Sequence, residues 1–579
     1  MPQLKAQNPP ASLSTRTDWL PLAGLLLATL ATYASTFTFG WVYDDPPQIP
    51  QNQNLEFSRL GFLFTHQLWA SMAGTDARFY RPLLTIWFLI NKTLFGLNPH
   101  WFHVTTVLAH LAASAFAFFV ARALLEDAGS ALFASAIFAL HPLQVESASW
   151  ISSVNDSLAA TLCFATFLTY RRARTTQQNS AAWWILSGVL FLLALFTKEV
   201  SVVLPGIILV DLWLNRTADN RSASAGRSVL AAISPYAVIL LLWLALRSWA
   251  LGATAGTSSA TSWSSCLLTA PKIVLFDLYR VFVPVGLSPQ YDFRAVESPA
   301  SGQFLLVMIA VIALAALAVR VARRDPRLWV AFAWLIFPML PAFNLRWMNQ
   351  DDFVHDRYMY MSMLGVALLA GSAYGWIRKK WPNAQFVRPL AACIAVVLAF
   401  ASAIQSQYWA NDVILFSRAV SRAPDNEWAQ LNYGSALSAR DKFADAAPHF
   451  VRSYELKPGW RAADFAGFAY QHTGDLPEAE RWFQLALQQD PRVAPPWFGL
   501  GQIRLSQHRP EEAIQFFQQA LSIDGTAEGF HYEMGQALEQ DSQPLLALGE
   551  YREELRLHPE GSAARRAIDR LQAAAQSAK

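Results

Sequence analysis

The stretch Trp41-Val42-Tyr43-Asp44-Asp45-Pro46-Pro47-Gln48 follows an apolar run, 19–39, almost at once. Two adjacent carboxylates just past a segment long enough to span a bilayer are costly to bury in lipid. They belong at the water interface or in a protein-walled cavity, where a carboxylate is suited to act as a general base. If they do not act so, the stretch is only a polar loop with both side chains solvated.

The 579 residues are 54% hydrophobic and 15% charged, the composition of an integral membrane protein. Charge is sparse before about residue 405 and dense after it, so a membrane domain, 1–405, is expected to precede a soluble one, 406–579. A net charge of +3 and the lack of a basic patch interleaved with aromatics exclude nucleic acid as a partner. Cys163, Cys266 and Cys393 lie far apart, with neither metal-ligand nor disulfide spacing. The first apolar run, preceded by Lys5 and Arg16, reads as a retained helix and export signal.

Further apolar runs fall near 101–121, 130–147, 157–170, 182–197, 200–214, 229–246, 303–320, 328–343, 358–376 and 388–405. Four basic clusters separate them: Arg171-Arg172-Ala-Arg174; Arg216, Arg221 and Arg227; Arg320, Arg323, Arg324 and Arg327; and Arg378-Lys379-Lys380. With all four cytoplasmic, about eleven spans result, with the N-terminus inside and the C-terminus outside. The short run 82–92, and the run 267–287 interrupted by Lys272, Asp277 and Arg280, read as helices on or dipping into the outer face. This topology gathers polar residues on the outer side: Asp44, Asp45 and Arg81; Glu146 and Asp156 around the turn after His141; Lys198-Glu199; and Asp351, Asp352, His355, Asp356, Arg357 and Tyr358. Their convergence points to a site at the membrane–water boundary.

After residue 405 the chain repeats. Gly434, Gly467, Gly501 and Gly535 recur in register with Ala446, Ala479, Ala513 and Ala547, and with Phe450, Phe483, Phe517 and Tyr551. This is the tetratricopeptide pattern, with a period of ~34 residues and two helices per repeat. Trp409 to Pro424 looks like the second half of an earlier repeat, and Ala563 to Gln572 a capping helix. An α-solenoid of this kind is normally a peptide-binding or scaffold surface. Leu431, Asp464, Phe498 and Tyr532 hold matching positions on the first helices, as groove lining or as packing between helices.

The motifs together resemble the transmembrane and tetratricopeptide-repeat O-mannosyltransferase family and its bacterial relatives. The carrying residues are Tyr43-Asp44-Asp45, Phe79-Tyr80-Arg81-Pro82-Leu83, Leu94-Phe95-Gly96-Leu97, Phe102-His103 and His110. They continue with His141-Pro142, Val145-Glu146, Trp150-Ile151-Ser152, Asp156, Lys198-Glu199 and Asp356-Arg357-Tyr358-Met-Tyr360. The resemblance implies an all-α, polytopic membrane domain of the GT-C glycosyltransferase type followed by the repeat solenoid. It implies a polyprenyl-phosphate-linked sugar donor and chemistry outside the membrane. In GT-C enzymes an acidic residue of the first outer loop is the base or orients the acceptor, a role that falls here on Asp44 or Asp45. The eukaryotic members carry an Asp-Glu pair where this chain has Asp-Asp, so either can be the base.

Transfer to a Ser or Thr hydroxyl needs a base for the proton and cations for the phosphate leaving group. Arg81, Lys198 and Arg357 are the candidates for the second task, with His103, His141, Glu146, Asp156, Asp356 and Tyr358 in support. No metal is required by this scheme. The expected protein is a multi-pass glycosyltransferase of a bacterial inner membrane, with periplasmic repeats that bind a protein acceptor. Transfer to a lipid or polysaccharide, or a non-catalytic membrane-anchored scaffold, are the alternatives.

Overall fold

The computed structural model describes residues 16–68, 79–176, 178–215, 223–252, 261–347 and 352–577. Lys5, Arg216, Arg221 and Asp351 lie outside the described residues. Within them the chain is helical, with no strand, and it divides into two compact units, Met1–Arg418 and Ala419–Lys579. The division falls later than residue 405, so Trp409 and the start of the Asp412–Arg422 helix lie in the first unit.

Among the described residues of the first unit, seven helices are long and apolar enough to cross a bilayer: Trp19–Thr38, Pro99–Leu125, Ile151–Thr175, Ser180–Thr197, Val229–Leu251, Gly302–Arg324 and Val387–Trp409. Ala128–Leu140 and Pro142–Ser149 make an eighth if the 53° bend between them is counted as one span. That bend follows from sequence. His141-Pro142 ends the first helix, since proline disfavours helical geometry in the residue before it. His141 then accepts the Leu143 N–H through Nδ1 at 3.2 Å and so starts the next turn.

The three remaining expected spans do not pass alone. Leu204–Leu214 is short, and Met363–Lys380 ends in Arg378, Lys379 and Lys380. Leu328–Ile336 tightens into a 3-10 turn, Phe337–Phe343, around Pro338 and Pro341. Pro82–Phe95 is likewise too short to cross alone.

Ile151–Thr175 sits at the centre of this unit, packed against Pro99–Leu125 and Ser180–Thr197. Phe164 and Phe167 close around the buried Trp334 ring at 5.2 and 5.7 Å. Gly302–Arg324 is the opposite case: its apolar surface is exposed almost throughout, as lipid contact requires. The three cysteines are unpaired thiols.

The second unit is four helix pairs and an end helix. The pairs are Glu427–Ser438 with Phe443–Leu456, Trp460–Thr473 with Leu476–Gln489, Ala494–Ser506 with Pro510–Ile523, and Phe530–Gln540 with Pro544–Leu557. Ser562–Ser577 packs on the last pair. The recurring glycine is where the partner helix lays its aromatic ring: a methyl on Gly501 would stand 2.5 Å from Phe517. A left-handed residue follows within three positions of each first helix, at Asp441, Gly474, His508 and Ser542, and turns the chain into the partner helix.

Candidate active site

The loop after the first span is built around Asp45. Its side chain is fully buried. Oδ1 accepts the Ser152 N–H at 2.8 Å and the Ser152 hydroxyl at 2.6 Å, while Oδ2 accepts the Val42 N–H at 3.0 Å. Burial pushes its carboxyl up to about 7, and the Ser152 and Val42 donors pull against that. Asp45 therefore pins its loop to the start of the central helix.

Asp44 is placed differently. Among the described residues nothing donates a hydrogen bond to its carboxylate, and it lines a cleft in the unit that encloses ≈ 1210 Å³, part of it open solvent. Burial raises the Asp44 carboxyl to about 6, against the pull of Arg357. The preceding residue, Tyr43, has φ of 57°. A side-chain-bearing residue pays ~1–2 kcal/mol for that conformation. Tyr43 is held there by Asp412 Oδ1, which accepts its N–H at 2.7 Å, and by stacking on Trp150 at 5.1 Å.

The same cleft is lined by Arg81, Asp156, Lys198, Glu199, Arg247, Arg357 and Tyr358. Each of three cations is held by its own carboxylate. Arg81 donates to Glu199 through Nε and Nη2, both at 2.8 Å. Lys198 bonds to Asp156, which also accepts the Ser153 hydroxyl at 3.0 Å. Arg357 bonds to the buried Glu146 through Nη1 and through its backbone N–H, and its guanidinium lies 5.1 Å from the centre of the Trp150 ring. Burial works against the Arg357 charge, but Glu146 outweighs it and the group stays firmly cationic. Lys198 is pulled down to about 8 by burial, although Asp156 acts the other way. Tyr358 is pushed up to about 12 by burial and remains a neutral hydroxyl. The opposite wall is apolar, made by Leu68, Val200, Pro338, Pro341, Ala342 and Met361. The proline-broken turn at Phe337–Phe343 thus provides part of the cleft's lining.

Four expected supporting residues do not line the cleft: Glu146 acts there only through Arg357, and three others are engaged elsewhere. His103 points at the Gly40 carbonyl, 3.2 Å away, beneath the loop. His141 caps its turn and donates through Nε2 to the Val281 carbonyl at 2.9 Å. With both ring nitrogens engaged inside the protein, it is a packing residue. Asp356 faces away from the cleft and accepts from Arg280 and from the Tyr291 hydroxyl at 2.7 Å. Burial raises its carboxyl to about 7, against the pull of Arg280.

Conversely, Arg247 was missed in the sequence, because it is a single charge near the end of a long apolar run. Glu199, expected only as part of a polar pair, is the carboxylate that aligns Arg81. No group of three or more His, Cys, Asp or Glu side chains with metal-holding geometry is present among the described residues.

In the second unit, two of the four matching positions are buried and two are rings packed between helices. Leu431 and Asp464 are buried. Phe498 stacks on Phe530 at 4.2 Å, and Tyr532 packs on Tyr551 at 5.6 Å. The two aromatics are therefore seams between neighbouring helices, and Asp464 is the polar exception among the four.

A tetratricopeptide-repeat family model matches residues 461–526. The mouse protein O-mannosyl-transferase TMTC3 is 24% identical over 582 residues, covering 91% of this chain and 62% of the relative. Human protein O-mannosyl-transferase TMTC1 is 25% identical over 485 residues, covering 74% of this chain and 54% of the relative. The chain thus spans less than two thirds of the length of these curated relatives. Among solved structures, that of MamA is 17% identical and covers 26% of this chain and 88% of its own, with a TM-score of 0.24. Over most of its length this chain is similar to the protein O-mannosyl-transferases TMTC3 and TMTC1, and its second unit carries tetratricopeptide repeats.

Proposed function

We propose that the protein is an integral-membrane glycosyltransferase that moves a sugar from a polyprenyl-phosphate donor to Ser or Thr hydroxyls of exported proteins. The observation that carries this reading is the cleft itself. It sets Asp44, a carboxylate with no hydrogen-bond donor among the described residues, with cations fixed by Glu199, Asp156 and Glu146, beside an apolar wall. Asp44 takes the proton from the acceptor hydroxyl as oxygen attacks the anomeric carbon from the face opposite the phosphate, inverting that centre. Arg81, Lys198 and Arg357 stabilise the charge that develops on the departing lipid phosphate. Arg357 spends one nitrogen on Glu146, and a guanidinium has five N–H donors, so it retains capacity for phosphate oxygens. The apolar wall receives the first isoprene units. The scheme takes no metal.

The membrane domain is of the GT-C type and sits in a bacterial inner membrane. The N-terminus is cytoplasmic and the repeats are periplasmic, where they recruit the acceptor.

The test is reconstitution. Purified protein in lipid nanodiscs is given a polyprenyl-phosphate sugar and peptides enriched from exported proteins, and products are read by mass spectrometry. Sugar on Ser or Thr, absent with Arg357→Ala, is the expected result. Sugar found only on lipid or polysaccharide would overturn the choice of acceptor, and no transfer to any acceptor would overturn the enzyme.

A further inference from the structure

Asp464 lies on the first helix of the second repeat, Trp460–Thr473, and is only 7% exposed. A buried carboxylate normally has donors around it. Among the described residues none donates to Asp464, and burial alone raises its carboxyl to about 7.

One helical face carries Asp464, Phe468 and Gln471, at i, i+4 and i+7. Gln471 donates to Gln502 Oε1 on the first helix of the next repeat at 3.2 Å, so this face is the one that successive first helices share. The Gln471 Oε1 is enclosed with no donor of its own. Phe468 is 43% exposed, with the His472 ring 4.4 Å away. The Gln502 side chain also faces the Glu533 carboxylate on the following first helix.

This surface therefore has an unpartnered carboxylate beside an open aromatic ring, which a donor-rich, positively charged ligand would satisfy. A lysine or arginine stem can lie on the Phe468 ring while its head meets Asp464.

We propose that the Asp464–Phe468–Gln471 face is a docking site for an extended peptide segment that presents a lysine or arginine side chain to Asp464. The carboxylate line of Asp464 and Glu533 rejects acidic segments. The inference rests on the reading of the repeats as an acceptor platform, and it adds the charge of the segment they choose.

The full chain in nanodiscs, without donor lipid, is titrated into fluorescein-labelled twelve-residue Gly/Ser/Thr peptides bearing a central Lys, Leu or Glu, and anisotropy is followed. The Lys peptide is expected to bind at least about tenfold tighter than the Leu peptide, with the Glu peptide weakest. Asp464→Asn, near-isosteric and free of the buried charge, should abolish the Lys preference, and Phe468→Ala should weaken Lys and Leu peptides alike. Equal binding of the three peptides, a preference for Glu, or no binding at all would overturn the proposal. So would concentration-dependent self-association lost in Asp464→Asn, which would make the occupant a second copy of the chain. Lys-selective binding with no sugar transfer in the reconstituted assay would instead sink the transferase reading and leave this site standing.

Discussion

Asp44 and Asp45 are the same residue type one position apart, yet their surroundings give them opposite work. Asp45 accepts three hydrogen bonds and Asp44 none among the described residues. Asp44→Asn is expected to fold normally, bind donor lipid and lose ~10²–10⁴-fold in turnover, the usual cost of removing a general base. Asp45→Asn turns an amide toward donors that need an acceptor. It should lower the thermal midpoint of the detergent-solubilised protein and reduce turnover only through the loosened loop. A stable, inactive Asp45→Asn beside an active Asp44→Asn would reverse the assignment.

The rate profile follows the same groups. A base must be unprotonated, so the rate should rise with pH through about 6 as Asp44 ionises. It should fall above about 8 as Lys198 loses its proton. In Lys198→Arg the alkaline limb should move up by more than a unit, because a guanidinium does not titrate there. The sequence could show two carboxylates but not which one is free, since the donor that occupies Asp45 lies 107 residues away at Ser152.

Elements that depend on neighbours in sequence were read most completely. The four helix pairs stand where the period puts them, because each repeat closes on itself through glycine, alanine and one ring. Two substitutions in this unit should move stability in opposite directions. Gly501→Ala drives a methyl into Phe517 and should cost ~1–3 kcal/mol. Ser542→Gly relieves a left-handed φ of 61° and should add ~1 kcal/mol. Thermal melts of the full chain by circular dichroism, tracking the repeat transition, decide both, and equal shifts would refute the packing account. Membrane elements were less legible. Proline turned an expected span, 328–343, into a short helix and a cleft wall, and hydropathy alone cannot distinguish these. Arg247 was invisible for a similar reason: an apolar run hides a single charge that only the fold aims at the cleft.

At the scale of the molecule, the first unit gathers Asp44 and the three cation–carboxylate pairs of its cleft from five stretches far apart in sequence: the first loop, Arg81, the Glu146–Asp156 turns, Lys198-Glu199 and Arg357. Pairing each cation with its own carboxylate keeps the charges where they are, since breaking such a buried pair costs ~3–5 kcal/mol. The order of motifs in sequence announced this gathering. Which carboxylate would hold which cation was not readable, because the partners come from different helices.

The grip of Asp412 on Tyr43 reaches beyond the pair. A chain ending after Gln405 should lose donor-lipid hydrolysis by about tenfold or more relative to one ending after Arg422, the usual scale for a misplaced reacting group. Asp412→Ala in the full chain should reproduce most of that loss, and equal rates for the two truncations would refute the link. Exchange between relatives follows the same line. A solenoid can be traded for another array of different length and taste in partners, but the graft must be cut downstream of this aspartate. The start of the lead-in helix belongs with the first unit.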